Sequence, residues 1–115
     1  MRTTEDYLEH ILVAADKIAE YVTGYDHESF AGDSKTQDAV IRQIEIIGEA
    51  GKNVLRSSSS FEEDHPDIAR EFQAARGMRN LLAHGYFSVD VQVVWNTAVK
   101  SIPKLRNVIA GLIRD

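Results

Sequence analysis

Apolar residues recur every three or four positions along most of the chain, which is the spacing of one face of an α-helix. The first such run predicts a helix with Thr3 or Thr4 as its N-cap and acidic residues in its first turn. Its apolar positions are Tyr7, Leu8, Ile11, Leu12, Ala15, Ile18, Ala19 and Val22. Gly24 and the polar residues that follow interrupt this pattern, and they predict a solvated loop.

A second helix is predicted to start near Ser34 or Thr36. Its buried stripe consists of Val40, Ile44, Ile47, Gly51 and either Val54 or Leu55. Gly48 and Gly51 lie inside this helix, where a glycine costs about 1 kcal/mol relative to alanine. Two glycines so close together predict that another helix approaches the backbone there. The alternative is a tolerated weak point in the helix.

Two further helices complete the pattern. The third is predicted to begin at Pro66, after a loop that starts with the serine run, and to end or bend at Gly85. The last is predicted to be capped by Ser88 or Asp90, and Pro103 within it predicts a kink or a break. The apolar stripes are Ile68, Phe72, Ala75 and Met78 or Arg79 for the third helix, and Val91, Val94, Trp95, Ala98, Ile102, Leu105, Ile109 and Leu112 for the last.

Four to five helices with short connections predict an all-α fold, an up-and-down antiparallel bundle that forms one domain over residues 1–115. The chain has no cysteine, which excludes disulfides and thiolate chemistry. No apolar run approaches the roughly 18 residues of a membrane helix, and no signal peptide is recognisable, so we expect a cytoplasmic protein without membrane contact. The net charge of −5 argues against a broad basic surface but permits a local basic cleft.

The segment RGMRNLLAHGYF, residues 76–87, is the strongest candidate for a site. Helical spacing aligns Arg76, Asn80 and His84 along one stripe. Arg79 lies roughly 140° around the axis from His84 and about 7.5 Å along it. Arg79 and His84 can therefore meet at a frayed helix end, or a cleft can collect them from two chains. The simpler alternative is a buried or capping histidine at a helix end.

Arginine beside histidine suits cleavage of RNA without a metal. Arginine holds a phosphate through two hydrogen bonds, and histidine exchanges a proton near neutral pH. The 2′-hydroxyl of the RNA is then the nucleophile. The sequence carries no nucleotide-binding glycine loop, no zinc motif and no nucleophile elbow, so we expect neither a metal site nor a cofactor.

Three blocks of the sequence resemble the HepT-like branch of the HEPN superfamily. RNLLAHGY matches its R-x4-H-x-Y motif through Arg79, His84 and Tyr86. DAVIRQIEIIGEAGKNV, residues 38–54, is similar to the second helix of that family, and VDVQVVWNTAVKSIPKL, residues 89–105, is similar to its last helix. One departure is HPDIAREF, where many relatives carry an isoleucine–proline–tryptophan stretch.

The resemblance implies a homodimeric HEPN-like bundle and the toxin of a type VII toxin–antitoxin system. Arg79 and His84 become the catalytic pair of a metal-independent endoribonuclease, with Asn80 and Arg76 as supporting or substrate-binding residues. The implied antitoxin is an MntA-like nucleotidyltransferase, which silences the toxin by AMPylation of Tyr86. The alternative is a non-catalytic subunit that pairs with such a nucleotidyltransferase. A weaker alternative is an enzyme that acts on a free nucleotide.

Overall fold

Helices form every regular element in the part of the chain that the structure describes. The computed structural model describes residues 2–84 and 90–114, together with their side chains except those of residues 78–84 and 114. The elements are α1 (Thr4–Val22), α2 (His27–Ala31), α3 (Ser34–Ser57), α4 (Phe61–Asp64), α5 (Pro66–His84), α6 (Val91–Asn96), a π-helical turn (Thr97–Ser101) and α7 (Ile102–Arg114). This confirms the all-α prediction.

Local hydrogen bonds explain where the long helices begin. Thr3 is the N-cap of α1: its hydroxyl accepts from the Asp6 N–H at 3.1 Å, and its own N–H donates to the Asp6 carboxylate at 2.9 Å. Asp90 caps α6 by accepting from two backbone N–H groups. Pro66 is the first residue of α5. The N–H of a residue at this position has no partner within the helix, so proline loses no helical hydrogen bond there. The predicted starts of these three helices are confirmed.

The start of α3 is capped by a residue that the sequence pattern did not single out. Asp33 accepts from the Thr36 N–H at 3.0 Å, from the Thr36 hydroxyl at 2.9 Å and from the Tyr25 hydroxyl at 2.6 Å. The hydrogen bond from Tyr25, followed by those from Thr36, lowers the pKa of the Asp33 carboxyl below its usual value. The cap therefore also ties the chain before α3 to its first turn.

The segment predicted to be a solvated loop contains the short helix α2, and this part of the prediction is wrong. Asp26 and Ser29 close a capping box around its first turn. Phe30 on α2 is fully buried, and its ring lies 5.1 Å from the ring of Trp95. Five residues are too few to display a helical period, so burial of Phe30 could not be recognised from the pattern. The helix α4, with buried Phe61, fills the other predicted loop in the same way.

The two glycines of α3 mark a close approach between α3 and α5. A Cβ atom on Gly48 would lie 3.1 Å from the backbone nitrogen of Arg76 on α5. A Cβ atom on Gly51 would lie 2.6 Å from Cγ of Phe72. Glycine thus lets α3 and α5 pack backbone to backbone, as the sequence predicted. Gly48 faces Arg76 while Gly51 faces the earlier residue Phe72, so the two helices run antiparallel.

The other long neighbours are antiparallel as well. The hydroxyls of Thr4, at the start of α1, and Ser57, at the end of α3, are hydrogen-bonded at 2.6 Å. Arg106 near the start of α7 donates to Asp16 in the second half of α1 at 3.0 Å. The predicted up-and-down order of the long helices is therefore observed. None of the helices that the structure describes is long and apolar enough to cross a membrane.

Pro103 produces a change of helical register rather than a break. The turn Thr97–Ser101 is π-helical, and the Ile102 N–H donates to the Thr97 carbonyl five residues back. Proline cannot donate a backbone hydrogen bond and clashes with the preceding turn, and the wider turn accommodates both constraints. The extra residue keeps both halves of the apolar stripe facing the core, where Ala98 and Ile102 are buried. The sequence predicted a kink or a break at Pro103, and the irregularity that is observed is a π-helical turn in the residues before the proline.

Candidate functional site

The helix α5 carries four of the five residues predicted to form the site. Arg76, Arg79, Asn80 and His84 all belong to Pro66–His84, and His84 is its last residue. Arg76 is exposed. The side chains of residues 79, 80 and 84 lie outside the described part, so their backbone positions carry the argument. Tyr86, and the end or bend predicted at Gly85, also lie outside the described residues.

One face of α5 is buried against α3. Ile68, Phe72 and Ala75 are buried, with Phe72 only 1% exposed. Gln73 and Gly77 are exposed, and nothing lies within 4 Å of a Cβ built on Gly77. The helix therefore has a packed side, centred near Phe72, and an open side on which polar residues meet solvent.

Helix geometry places Arg79 and His84 on different sides of α5. Arg79 follows Phe72 by seven residues, so its position is only about 20° from the line of Phe72 and lies on the side of α3. His84 is rotated by roughly 120° from that line, and Asn80 by about 80° in the same direction. The helix runs through both residues of the pair, so the separation of about 140° predicted from the sequence applies to this chain.

The two ends of α5 differ in charge. Its first turns carry Asp67 and Glu71, with Arg70 in an ion pair with Asp67. Arg76 and Arg79 follow in its second half without an intervening acidic residue. This segregation of charge lets a positive region exist around the candidate site in a chain whose net charge is −5.

A polar cleft of about 240 Å³ lies between the start of α1 and the outer face of α3, and we call it the α1–α3 cleft. Tyr7 and His10 line it from α1, with ring centroids 6.2 Å apart and ring planes at 85°. Arg42, Glu45 and Asn53 line it from α3. Glu49 and Arg2 contribute further charge, and Ile46 and Ala50 contribute its apolar surface.

The register of α3 and α5 relates this cleft to the candidate site. Gly48 is level with Arg76. Because the helices are antiparallel, Glu45, three residues before Gly48, is level with Arg79, three residues after Arg76. The cleft and Arg79 therefore lie at the same height along the axis of the helix bundle.

Sequence reasoning missed the α1–α3 cleft because its residues are spread over two helices. His10 belongs to no recognisable motif in the sequence. Among the residues that the structure describes, no group of three histidine, aspartate or glutamate side chains could hold a metal ion. The only local signal was the spacing of Tyr7 and His10, which places two rings on one face of α1.

Comparison with known proteins identifies relatives along nearly the whole chain. The family model described as Ribonuclease HepT-like matches residues 11–112. A protein of Thermococcus cleftensis named Probable ribonuclease HepT is 45% identical over 105 residues, which are 91% of each chain. A Caldanaerobacter subterraneus subsp. tengcongensis protein, named as a putative RNase, is 36% identical over 114 residues, covering 99% of this chain and 97% of its own. No solved structure matches the chain.

Proposed function

The chain belongs to the HepT-like ribonuclease family, and from this premise we propose that it is a metal-independent endoribonuclease. It acts as one helical domain over residues 1–115, in the cytoplasm, as the toxin of a type VII toxin–antitoxin pair. The observation that carries the proposal is the position of Arg79 and His84 on one helix, α5, within a family match that covers residues 11–112.

The proposed chemistry uses the RNA itself as the source of the nucleophile. His84 accepts the proton of the 2′-hydroxyl while the 2′-oxygen attacks the adjacent phosphorus. The bond from phosphorus to the 5′-oxygen breaks, and the leaving oxygen takes a proton from solvent water, while the protonated His84 later releases its proton to solvent. The products are a 2′,3′-cyclic phosphate and a 5′-hydroxyl. Arg79 stabilises the negative charge that builds on the phosphate oxygens, with Arg76 and Asn80 in supporting positions.

The proposal includes a homodimer because one helix does not bring the pair onto one face. Arg79 and His84 are separated by about 140° around α5 and about 7.5 Å along it. A two-fold axis near the ends of two α5 helices would place residues of both copies around one cleft. The same axis would bring together the second halves of the two α5 helices, which carry Arg76 and Arg79 without acidic residues between them.

Control by modification is the second part of the proposal. An MntA-like nucleotidyltransferase would transfer AMP to Tyr86, two residues after His84. The added phosphate brings negative charge and bulk, so an RNA phosphate would meet repulsion and a steric block there. Co-expression with such a nucleotidyltransferase should add the mass of AMP to the wild type and not to Tyr86→Phe. Added mass on Tyr86→Phe would show that another residue is the acceptor.

Cleavage of RNA by the purified chain in EDTA tests the catalytic assignment. Wild type should produce cyclic phosphate ends, and His84→Ala and Arg79→Ala should lose at least about a hundredfold in rate. His27→Ala and Arg70→Ala are matched controls, because both side chains are exposed and lie away from the proposed pair. Undiminished cleavage by His84→Ala contradicts the assignment. An inactive wild type that binds a nucleotidyltransferase supports the non-catalytic subunit instead.

A further inference from the structure

The face of α5 opposite α3 carries a line of uncharged residues from the middle of the helix onward. Ala74 and Gly77 are both exposed. Their positions lie roughly 140–160° around the axis from Phe72, which packs against α3 at Gly51. The position of Leu81 lies about 180° from Phe72 and continues the same line. We call the three positions of Ala74, Gly77 and Leu81 the outer seam.

The described part of the chain gives no reason for a glycine at position 77. Glycine is less favourable than alanine inside a helix, and Gly77 lies about two turns before the last residue of α5. Its φ lies outside the left-handed region, and nothing in the described part of the chain lies within 4 Å of a Cβ built on it. At Gly48 and Gly51, by contrast, glycine makes room for a second helix. Gly77 offers the same room to a helix of another molecule.

The spacing and the charge of the outer seam suit a second copy of this chain. Gly77 follows Ala74 by three residues, and Leu81 follows Gly77 by four, which is the alternation that keeps one line of residues against a partner helix. In a two-fold contact, a residue near the axis meets its own copy, so a charged residue there would meet the same charge. None of the three residues is charged. An RNA strand would instead need positive charge on this face.

We propose that the outer seam is the surface through which two α5 helices pair in a homodimer, with Gly77 at the point of closest approach. The choice of a second copy rests on the proposed function, whose site is incomplete in one chain because Arg79 and His84 lie on different sides of α5. His84 follows Gly77 by seven residues, so its position is only about 20° from the line of Gly77. The outer seam therefore leads to the position of His84, and a partner helix packed on the seam borders the site.

Sedimentation equilibrium of the purified chain tests the outer seam without reference to RNA cleavage. Wild type should be a dimer at micromolar concentration. Gly77→Leu places a bulky side chain at the contact, and the two-fold symmetry counts it twice, so the dissociation constant should rise by at least about a hundredfold. Gly111→Leu is the matched control, because Gly111 is exposed in the last turn of α7 with nothing within 4 Å of a built Cβ. Its dissociation constant should equal that of wild type, and circular dichroism should show equal helix content in all three proteins.

A disulfide cross-link gives a second measurement, because the chain has no cysteine of its own. Two thiols form a disulfide when their Cα atoms lie within about 7 Å, which the closest approach at Gly77 provides. Under mild oxidation, Gly77→Cys should therefore form covalent dimers at least about tenfold faster than Gly111→Cys. Equal rates for the two variants would overturn the proposal, even if Gly77→Leu fails to fold.

The remaining outcomes separate the outer seam from the proposed function. A folded Gly77→Leu that dimerises as tightly as wild type would show that the homodimer uses another surface. A monomeric wild type that cleaves RNA would overturn the seam and leave the ribonuclease intact. A monomeric wild type that binds a nucleotidyltransferase, with binding lost in Gly77→Leu, would assign the seam to that partner instead. A dimer that depends on Gly77 but cleaves no RNA would support the seam and contradict the proposed function.

Discussion

Replacing Gly51 with alanine should destabilise the protein, although the same replacement stabilises an isolated helix. Gly51 lies inside α3 and is buried against α5. The Cβ atom of an alanine there would lie 2.6 Å from Cγ and 2.8 Å from Cβ of Phe72. Carbon atoms in contact normally stay about 3.5–4.0 Å apart, so the new methyl group overlaps Phe72 by about 0.9 Å or more.

The side chain of Phe72 cannot move aside without a large cost in free energy. Its side chain is 1% exposed, and its ring stacks on that of Phe61 with centroids 6.0 Å apart. One of the overlapping atoms is its Cβ, which moves only with the backbone of α5. Overpacking of this kind costs about 1–3 kcal/mol, and the gain in helix propensity returns about 1 kcal/mol. We therefore expect a net loss of about 1 kcal/mol, with a melting temperature about 4 °C lower.

Gly111→Ala is the matched control for this substitution. Gly111 lies in α7, is exposed, and has nothing within 4 Å of a built Cβ. The control should be neutral or stabilise by up to about 1 kcal/mol. Urea denaturation and thermal melting followed by circular dichroism measure both variants. A Gly51→Ala chain as stable as Gly111→Ala would refute the close approach of α3 and α5.

Three further substitutions test other parts of the structure. Phe30→Ala should lower the free energy of unfolding by about 3–5 kcal/mol, because Phe30 is fully buried. It should also shift the fluorescence of Trp95, the sole tryptophan, to longer wavelength, and an unchanged emission spectrum would contradict the contact between the two rings. Because the pKa of Asp33 is lowered, its cap stabilises the fold above the usual carboxyl pKa of 3.8, and this stabilisation is lost as the pH falls through the pKa of the folded state. Tyr25→Phe removes one hydrogen bond to the carboxylate and should reduce this acid sensitivity. Urea midpoints measured between pH 6 and about pH 3 should therefore drop less for Tyr25→Phe than for wild type. Gly48→Ala should displace the α5 backbone by a few tenths of an ångström, because the new Cβ would lie 3.1 Å from Arg76 N. The rate of RNA cleavage should therefore fall by more than the loss of folded protein, measured from the melting temperature, explains. A fall in rate that matches the loss of folded protein would argue against a positioning effect.

The sequence alone was sufficient for features that depend on a few neighbouring residues. Thr3, Pro66 and Asp90 begin their helices through hydrogen bonds or ring geometry within one turn, and each was recognisable from residue type and spacing. The separation of Arg79 from His84 follows from helical pitch alone. The glycine pair of α3 also indicated a close neighbour before that neighbour was known.

The tertiary structure decided what lies opposite each helix. Phe30 is buried because Trp95, 65 residues later, packs against it, and a five-residue helix offers no period to reveal this. The contact of Gly48 with Arg76 sets the register that brings Glu45 level with Arg79. The α1–α3 cleft exists because two helices distant in sequence place their side chains together. Helix caps and apolar periodicity involve residues within a turn or two, whereas contacts between distant helices depend on how whole helices pack against one another.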